Sequence, residues 1–578
     1  MKNKELACLF SRIADALDIK GEVSFKVRAY QKAGRILEDL TEDVETLAAE
    51  NKLRQVPGIG SGLASKIEEY LRTGRMEKYQ EALAAIPEGL LPLLEVQGLG
   101  GQTIRLVWKE LGVEDLAGLK RVIQDGTLAK LRGLGEKRAA NILKGIELYE
   151  RAQERISIFE AMTVVEEVLA YLQKNPKFLR LSPAGSLRRM RETVGDIDIL
   201  AGGRAKDSQE LIAWFTRFPG VQRVLSAGGT KSSIMVPAPG GQRQVDLRLV
   251  NESEYGAALQ YFTGSKAHNI KLRGMAKDRG LKISEYGVFR GSRKIAGRSE
   301  EEVYRSLGLP LIPPEMREDR GEVELARQGR LPAIVKPEDI RGDLHVHSDW
   351  SDGRLSLLEL AEAARRLGYR YIAVCDHSRS AAYAGGLSPE RLRRQIREID
   401  KLNQAGRGPR LLKGTEVDIL ADGRLDLPDS VLGQLDIVIA SIHSGFRKNV
   451  TERMIKAMSN PLVTAIGHPT GRLISGREGY QVDLEKVMEA ARAASVALEL
   501  NAYFDRLDLN ELHLKQAKDR GIRISLGTDT HQAGGLAMMR FGVGIARRAW
   551  LAKADILNCL PVEKLKGFRK KARSSPIF

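Results

Sequence analysis

The sequence predicts a multidomain protein in which a helical N-terminal region and an α+β domain precede a C-terminal α/β barrel. Three observations lead to this prediction. A Gly-containing helical motif is repeated before residue 155, strand-like runs between residues 156 and 250 contain isolated acidic residues, and histidines follow strand-like runs after residue 340. A chain of 578 residues with 43% hydrophobic composition can bury several cores, and about three to five domains are expected.

The chain is basic and contains few cysteines. Its formal net charge is +17, and the excess occurs in both halves, so both could bind a polyanion; a solvated basic surface is the alternative. Three widely separated cysteines argue against disulfides and fit a reducing cytoplasm. The N-terminal sequence MKNKELACLF does not resemble an export signal, and the long apolar run of a membrane span is absent from the sequence, so no membrane partner is expected.

One motif occurs three times before residue 155: VPGIGSGLASKI from Val56, VQGLGGQTIRLV from Val96, and LRGLGEKRAANIL from Leu131. Each copy places Gly-hydrophobic-Gly before an amphipathic helix, which leaves backbone N–H groups open to an anion such as phosphate. The copies resemble helix-hairpin-helix motifs, which bind the DNA backbone; plain helical turns are the alternative. The resemblance implies DNA contacts at six glycines: Gly58, Gly60, Gly98, Gly100, Gly133 and Gly135.

The segment AGSLRRMRETVGDIDIL suggests a nucleotidyl-transfer site. In a strand, Asp196 and Asp198 face the same side, and Asp246 in QVDLRLV is expected on a neighbouring strand. Such carboxylates need a counter-charge, which a pair of Mg²⁺ ions supplies. The preceding Gly-Ser turn opens N–H groups towards a triphosphate that Arg189 can neutralise, whereas a single Asp would more simply mark a solvent face.

These motifs closely resemble those of the family X DNA polymerases, over about 300 residues. The resemblance implies that Asp196, Asp198 and Asp246 are catalytic and bind two Mg²⁺ or Mn²⁺ ions. It also implies a palm, a thumb-like subdomain and deoxynucleoside triphosphate substrates. The implied nucleotide-binding residues are Gly185, Ser186, Arg189, Gly195, Tyr261, Phe262, Gly264, Asn269 and Arg273, of which Arg273 would face the template strand.

The N-terminal segment FKVRAYQKA is similar to the small 5′-phosphate-binding domain of the same family. The similarity implies DNA contacts at Lys26, Tyr30 and Lys66, and Lys66 matches the Schiff-base lysine of polymerase beta. Two positions depart from the family, because Phe25 replaces a histidine and Gly62 replaces a phosphate-binding lysine. The predicted 5′-phosphate pocket therefore has fewer phosphate-binding side chains than that of polymerase beta. The sequence leaves undecided whether the chain has deoxyribose-phosphate lyase activity. Arg248 in the palm is a further expected DNA contact.

Seven of the eight histidines lie after residue 340, and six of these lie next to strand-like runs such as YIAVCDH and DIVIASIH. Strand ends on one side of a parallel barrel are where barrel enzymes build their sites. Imidazole and carboxylate ligands suit Zn²⁺, Mn²⁺ or Fe²⁺, and their number implies two or three ions able to activate water for attack on phosphorus. A strand-end histidine that caps a loop is the alternative for any single position. The predicted ligands are His345, His347, Asp352, His377, Glu416, His443, His468, Asp529 and His531.

The ligand pattern, which begins H-x-H and ends D-x-H, resembles the polymerase and histidinol phosphatase (PHP) family over residues 341 to about 575. The resemblance implies a distorted TIM-like (β/α)7 barrel. It also implies Mn²⁺-stimulated 3′-5′ exonuclease, 3′-phosphatase and abasic-site endonuclease activities. His268 and His513 lie outside the cluster and are expected to be packing or surface residues.

These observations predict six parts: a helical domain 1–88, a helical DNA-binding subdomain 89–155, a palm 156–250, a thumb 251–318, a linker 319–340 and a PHP domain 341–578. The predicted function is the filling of short gaps in repair, with the PHP domain cleaning DNA ends. Gapped or nicked DNA with a 5′-phosphate, deoxynucleoside triphosphates and other repair proteins are the expected partners of a monomer. A PHP phosphatase of small metabolites and a non-catalytic repair scaffold with a vestigial polymerase are the alternatives.

Overall fold

The computed structural model describes residues 2–38, 44–56, 58–96, 99–131, 133–153, 155–239, 241–406, 408–474, 476–565 and 568. The chain forms two compact units. The first contains residues 1–154 together with 377–386 and 442–448, and the second contains residues 155–376, 387–441 and 449–578.

The first unit is helical. In α1, Leu6, Phe10, Ile13 and Leu17 recur at helical spacing and are buried, so one face of this helix forms part of the core. The side chain of Asp115 caps a later helix by accepting a hydrogen bond from the N–H of Gly118 at 2.7 Å. The helices are α1 (Lys2–Lys20), α2 (Ser24–Glu38), α3 (Val44–Ala49), α4 (Ser61–Thr73), α5 (Glu77–Ala84), α6 (Gly101–Leu111), α7 (Leu116–Gln124) and α8 (Glu136–Gln153).

The second unit begins with an α+β region built on a five-stranded sheet of order β2-β4-β7-β6-β5. Strands β4 and β7 are parallel, and the other neighbours are antiparallel. Helix α9 starts at a capping box of Ser157 and Glu160. The elements are β1 (Ile156–Ser157), α9 (Ile158–Leu172), β2 (Arg180–Pro183), α10 (Gly185–Arg188), β3 (Thr193–Val194), β4 (Ile197–Gly202), α11 (Ser208–Thr216), β5 (Arg223–Ala227), β6 (Lys231–Ala238) and β7 (Gly241–Val250).

Residues 255–327 add helices and a small antiparallel sheet of order β10-β9-β8. The predicted linker contains helix α15, whose Val323 and Ala326 are buried in the apolar core of this region. His268 is fully buried, between Glu322 (2.6 Å) and the hydroxyl of Tyr304 (2.8 Å), in agreement with a packing role. The elements are α12 (Tyr255–Thr263), α13 (Lys266–Asp278), β8 (Lys282–Ser284), β9 (Gly287–Arg290), β10 (Arg293–Ala296), α14 (Glu300–Ser306) and α15 (Glu322–Arg327).

The C-terminal part is a seven-stranded parallel sheet in sequential order, which confirms the predicted (β/α)7 barrel. Hydrogen bonds from the N–H of Asp529 to the carbonyl of His345 and from the N–H of His347 to that of Thr530, both 2.9 Å, join the first strand to the residues that follow the last. The strands are β11 (Gly342–Val346), β12 (Tyr371–Val374), β13 (Arg410–Asp418), β14 (Ile437–Ser441), β15 (Ala465–Ile466), β16 (Ala497–Asn501) and β17 (Ile524–Gly527).

Amphipathic helices connect these strands, because a parallel strand pair requires a crossover. Their apolar faces pack on the sheet, as Leu357, Leu360 and Ala364 do against Ile372 and Val374. None of the described helices is long and apolar enough to span a bilayer. The helices are α16 (Leu357–Arg366), α17 (Pro389–Gln404), α18 (Asp429–Leu432), α19 (Val450–Met458), α20 (Leu484–Ala494), α21 (Glu511–Asp519) and α22 (Met539–Arg548).

Candidate active sites

Three carboxylates meet on the five-stranded sheet. Asp198 and Asp246 are register partners on the parallel strands β4 and β7, and Asp196 lies directly before β4. The residues that alternate with them, Ile197 and Ile199, are buried. The strand pairing therefore brings together the two segments that the sequence separates by about fifty residues.

The electrostatics of this site are those of crowded anions. Burial, with the neighbouring charges of Asp246 and Asp196, raises the pKa of Asp198 to about 6. Lys231 lies 3.5 Å from Asp246, and Gln244 donates a hydrogen bond of 2.8 Å to the same carboxylate. Oxygen ligands of this kind are those that Mg²⁺ and Mn²⁺ prefer, so the donor set fits divalent cations.

The turn next to the carboxylates depends on glycine. Gly185 has φ +60°, and a Cβ there would overlap the carboxylate of Asp198. It begins the short helix α10, which also contains Ser186, and Gly195 directly precedes Asp196. Because Gly185 has no side chain, the backbone of the turn can lie close to Asp198 and still leave room for its carboxylate.

Arg189 follows this turn and is largely buried, with 11% of its side chain exposed. Its Nε donates to Glu318 at 3.0 Å, and its Nη1 donates to the carbonyl oxygen of Thr263 at 2.5 Å. A Cβ on Gly264 would lie 3.2 Å from Nη1, and Gly264 itself has φ +68°. The segment predicted to line the sugar pocket is thus held against the predicted triphosphate-binding arginine.

The other predicted nucleotide-pocket residues lie on α12 and α13. Tyr261 and Phe262 contact each other edge to face, with ring centroids 5.2 Å apart, and the guanidinium of Arg248 lies 5.2 Å from the Phe262 ring. The side chain of Asn269 donates to the carbonyl oxygen of Tyr261 at 2.8 Å. Arg273 on α13 is exposed. Asn269 is therefore anchored to the aromatic pair, whereas Arg273 is accessible.

The predicted phosphate-binding turns lie at helix N-termini in the first unit. Gly60, Gly100 and Gly135 directly precede α4, α6 and α8. A Cβ at any of these three would meet nothing within 4 Å, so no other part of the protein crowds the position that a side chain would take. Gly58 and Gly133 adopt φ +99° and +89°, which favours glycine. Gly98 lies outside the described residues.

The three residues predicted to bind the 5′ end differ in accessibility. Lys26 is exposed and pairs with Glu22 at 3.1 Å. Tyr30 is only 9% exposed, and its ring packs on Phe10, so it belongs to the core of the first unit. Lys66 donates to the carbonyl oxygen of Gly62, one helical turn earlier, at 2.9 Å. In this structure its ammonium group is engaged with the backbone of its own helix.

The barrel contains a second polar cluster, made of His345, His347 and Asp529. The two Nε2 atoms are 3.2 Å apart, and Oδ1 of Asp529 lies 3.2 Å from Nε2 of His347 and 4.0 Å from that of His345. All three residues are buried. Ligands of one tetrahedral ion at about 2.1 Å lie roughly 3.4 Å from each other, so these separations fit a shared divalent cation.

Four more of the predicted ligands adjoin this cluster. Glu416 is 3.0 Å from Nε2 of His468 through one oxygen and 3.6 Å from Nε2 of His345 through the other, which is the placement of a bridging carboxylate. Asp352 lies 3.3 Å from Nε2 of His531, and the His531 ring stacks on that of His347 at 4.3 Å.

His377 and His443 follow β12 and β14, and each lies in a short segment of the first unit. Their rings contact each other edge to face, with centroids 5.1 Å apart. Cys375, the cysteine nearest the ligands in sequence, is buried, and burial raises the pKa of its thiol. Its Sγ lies 3.5 Å from the carbonyl oxygen of Leu344.

Two of the predicted ligands, His468 and Asp529, have an unusual backbone conformation. His468 has φ +26° and Asp529 has φ +52°, in the left-handed region that non-glycine residues rarely adopt. Such conformations often accompany functional sites because the surrounding structure holds them in place. Gly527, two residues before Asp529, has no room for a side chain, because a Cβ would overlap that of His345.

Two carboxylates that the sequence did not single out, Glu499 and Asp343, hold the predicted ligands in place. Glu499 on β16 accepts from Nδ1 of His345 and from the backbone N–H of His468, both at 2.6 Å. Asp343 accepts from the N–H groups of His345 and Thr528, both at 3.1 Å. One local signal was present, since VALELN is a strand-like run with polar residues near its end, as the ligand-bearing runs have.

The charges of the barrel site are strongly coupled. Burial opposes ionisation of His345, but the Glu499 and Glu416 carboxylates outweigh it and raise its pKa well above the usual value. Burial likewise opposes the charge of Asp529, yet the adjacent His347 and His345 hold its pKa well below the usual value. The carboxylates of Glu416, Glu499 and Asp529 thus favour a positive charge between them, and a bound divalent ion would supply it.

Four stretches of the chain match protein families. Residues 258–318 match the DNA polymerase beta thumb, residues 343–503 the PHP domain, residues 1–76 a helix-hairpin-helix domain, and residues 90–147 a SAM-like helix-hairpin-helix tandem. With the carboxylate-bearing sheet and the seven-stranded barrel, these matches define the class: a family X polymerase with a C-terminal PHP domain.

The particular family follows from full-length similarity. The chain is 40% identical over 578 residues to the DNA polymerase/3′-5′ exonuclease PolX of Bacillus subtilis (strain 168), covering 99% of this chain and 100% of that protein, and it belongs to the PolX family. It is 26% identical over 344 residues to DNA polymerase lambda of Rattus norvegicus, covering 53% of this chain and 54% of that protein. It is also 30% identical over 245 residues to a probable phosphatase of Thermoanaerobacter sp. (strain X514), and this match covers 40% of this chain and 95% of that protein.

Proposed function

We propose that this chain is a DNA-directed DNA polymerase that fills short gaps during repair, and that its PHP barrel provides 3′-5′ exonuclease activity on DNA ends. The observation that carries the polymerase assignment is the register pairing of Asp198 with Asp246 beside the Gly185 turn. The full-length similarity to a DNA polymerase/3′-5′ exonuclease supports both activities in one chain.

At the polymerase site, Asp196, Asp198 and Asp246 would hold two Mg²⁺ or Mn²⁺ ions. Bound divalent cations supply charge neutralisation for the triphosphate and acidify the attacking 3′-hydroxyl. The turn at Gly185 and Ser186 presents N–H groups to the phosphates, and Arg189 supplies a positive charge beside them.

The remaining nucleotide contacts would come from Gly195, Tyr261, Phe262, Gly264, Asn269 and Arg273. Tyr261, Phe262 and Gly264 would shape the sugar pocket, and Asn269, held to the Tyr261 carbonyl, would face the base edge. The helix-hairpin-helix glycines, Lys26, Lys66 and Arg248 would bind the backbone of gapped DNA with a 5′-phosphate. These contacts carry no sequence information, which suits a repair enzyme.

At the barrel site, two or three Zn²⁺, Mn²⁺ or Fe²⁺ ions would be held by the nine predicted ligands, with Glu416 as the bridging carboxylate. Ions of this kind supply Lewis-acid polarisation of a phosphodiester. Glu499 orients His345 by accepting from its Nδ1, so that Nε2 points at the cluster. A second candidate activity, removal of a 3′-phosphate, is favoured by the similarity of the barrel to a probable phosphatase over 95% of that protein.

The experiment measures two activities of the full chain on a short 5′-phosphorylated gap with Mg²⁺ or Mn²⁺. Asp246→Ala should abolish nucleotide addition and leave 3′ resection, whereas His345→Ala or His347→Ala should abolish resection and leave addition. Asp278→Ala, on the exposed end of α13, and His513→Ala, in the barrel outside the cluster, are the matched controls.

Each alternative has its own outcome in this experiment. Hydrolysis of small phosphate esters without DNA resection or nucleotide addition would indicate a metabolite phosphatase. DNA binding without either reaction would indicate a scaffold. Either result from the unmodified chain would overturn the proposed function.

A further inference from the structure

The PHP barrel contacts the short segment 189–192, which joins the Gly185 turn to β3 and, beyond it, to Asp196 and the strand β4 that carries Asp198. Three independent contacts converge there, from two parts of the barrel. Arg548 and Gly544 come from α22, and Arg472 comes from the loop after β15. All these residues belong to the second unit.

Arg548 makes the most buried of these contacts, since its side chain has no exposed area. Its Nη1 donates to the backbone carbonyl oxygen of Arg189 at 2.6 Å and to Glu318 at 3.0 Å. Its Nη2 donates to Glu511 at 2.9 Å. Hydrogen bonds from a charged donor are stronger than neutral ones, and removing a partner from a buried group is costly.

Glu318 accepts hydrogen bonds from two arginines, and the guanidinium of a third, Arg191, lies 3.8 Å from it. One of its oxygens accepts from Nε of Arg189 and from Nη1 of Arg548, each at 3.0 Å. While Arg548 is present, the negative charge of Glu318 is divided between the two guanidinium groups. Without Arg548, Glu318 would hold Arg189 more tightly. Less of the positive charge of Arg189 would then be available to a triphosphate.

The other two contacts fix the residues that follow. Met190 has φ +55°, and its side chain lies against α22 where Gly544 leaves room, because a Cβ on Gly544 would overlap the Met190 side chain. Arg472 binds Glu192 through two hydrogen bonds of 2.7 and 3.3 Å. The barrel therefore contacts three of the four residues of the segment, through the carbonyl of Arg189, the side chain of Met190 and the carboxylate of Glu192.

We infer that Arg548 of the PHP barrel is a positioning residue for the nucleotide-binding site of the polymerase, acting through the carbonyl of Arg189 and through Glu318. This inference rests on the proposed role of Arg189 in triphosphate binding. It makes the barrel a structural part of the polymerase site, in addition to its own hydrolytic role.

The test compares two arginine-to-methionine substitutions on the same helix in the full chain. Arg548→Met should raise the KM for deoxynucleoside triphosphates about tenfold or more, with a smaller change in kcat. Resection at the barrel site should stay within about twofold of the unmodified chain. Arg540→Met is the matched control, because Arg540 also joins α22 to the polymerase part, through Glu166, but this pair is exposed and distant in sequence from the segment.

Gly544→Ala keeps the test informative if Arg548→Met does not fold. The Cβ of the alanine would displace Met190, and the higher helix propensity of alanine should offset part of the cost of this displacement, so the variant should still fold. It should raise the same KM by a smaller factor. An unchanged KM in both variants, or an equal loss of polymerisation and resection, would overturn the inference.

A readout that does not need activity separates this inference from the proposed function. Amide hydrogen exchange at residues 189–192 should be faster in Arg548→Met than in Arg540→Met, whatever the chain catalyses. Failure of the proposed function would instead appear as no nucleotide addition by the unmodified chain. Equal exchange in the two variants would show that Arg548 does not hold the segment.

Discussion

Glu499 joins two predicted ligands of the barrel site, His345 and His468, by accepting from the Nδ1 of the first and the backbone N–H of the second, both at 2.6 Å. The His345 contact leaves its Nε2 directed at His347, 3.2 Å away. A carboxylate behind a metal-binding imidazole fixes the ring orientation and increases its basicity. Glu499 is fully buried, so no solvent competes for these hydrogen bonds.

Glu499→Gln should therefore lower resection and metal affinity by about 10- to 100-fold, the usual effect of losing such a partner. Nucleotide addition should not change. The measurement is the Mn²⁺ dependence of resection and of addition in one preparation. Glu489→Gln, on the barrel helix α20, is the control; equal metal affinity in both variants would show that Glu499 has no such role.

Gly185→Ala should abolish nucleotide addition. The φ of +60° costs an alanine about 1 kcal/mol or more, and its Cβ would displace the Asp198 carboxylate. Resection at the barrel should persist, which a primer-degradation assay on the same protein would check. Gly274→Ala on α13, where a Cβ meets nothing within 4 Å, provides the comparison. Full polymerase activity in Gly185→Ala would contradict the close packing of this turn on Asp198.

Glu300→Gln should destabilise the protein at neutral pH by roughly 2–3 kcal/mol. Burial by itself would raise the pKa of Glu300, but hydrogen bonds and ion pairs from Arg188 and Arg317, each 2.6 Å away, lower it to about 2. Because the pKa is lower in the folded state, the stabilisation is present above the unfolded value of about 4.5 and is lost as the pH falls towards 2.

The difference in free energy of unfolding between the variant and the unmodified chain should accordingly begin to shrink below about pH 5, be clearly smaller by about pH 3, and disappear only as the pH approaches 2. Urea titrations across this range measure the difference. The neighbouring exposed Glu301→Gln should change stability little at any pH. A stability difference for Glu300→Gln that stays constant down to pH 3 would show that the arginines do not act on this carboxylate.

Removal of divalent ions should destabilise the barrel. Ions that bind only the folded state stabilise it by about 2.7 kcal/mol at 100 times their dissociation constant. Chelator-treated protein should unfold at a lower temperature and recover on addition of Mn²⁺. Asp529→Asn should abolish most of this recovery, because Asp529 lies between His347 and His345. The same Mn²⁺ shift in Asp529→Asn would place the stabilising ions elsewhere.

Strand alternation and local motifs were sufficient to locate most of the two candidate sites. The pair Asp196 and Asp198 follows from side-chain period two, and the strand-end histidines follow from the way parallel barrels present their residues. Local sequence marks Glu499 only as a polar residue near a strand end, and it does not show the contact with His345, which spans 154 positions. It also did not show that Tyr30 is buried against Phe10.

The sequence by itself determined the fold class and the positions of the predicted phosphate-binding turns, carboxylate triad and strand-end ligands, because each depends on a periodicity or spacing within a few residues. Only the tertiary structure decided which side chains hold those groups in position. Arg548 and Arg189 are 359 positions apart, and their contact exists because barrel helix and polymerase turn pack together. Such contacts depend on how whole elements are placed in space, which no short stretch of sequence specifies.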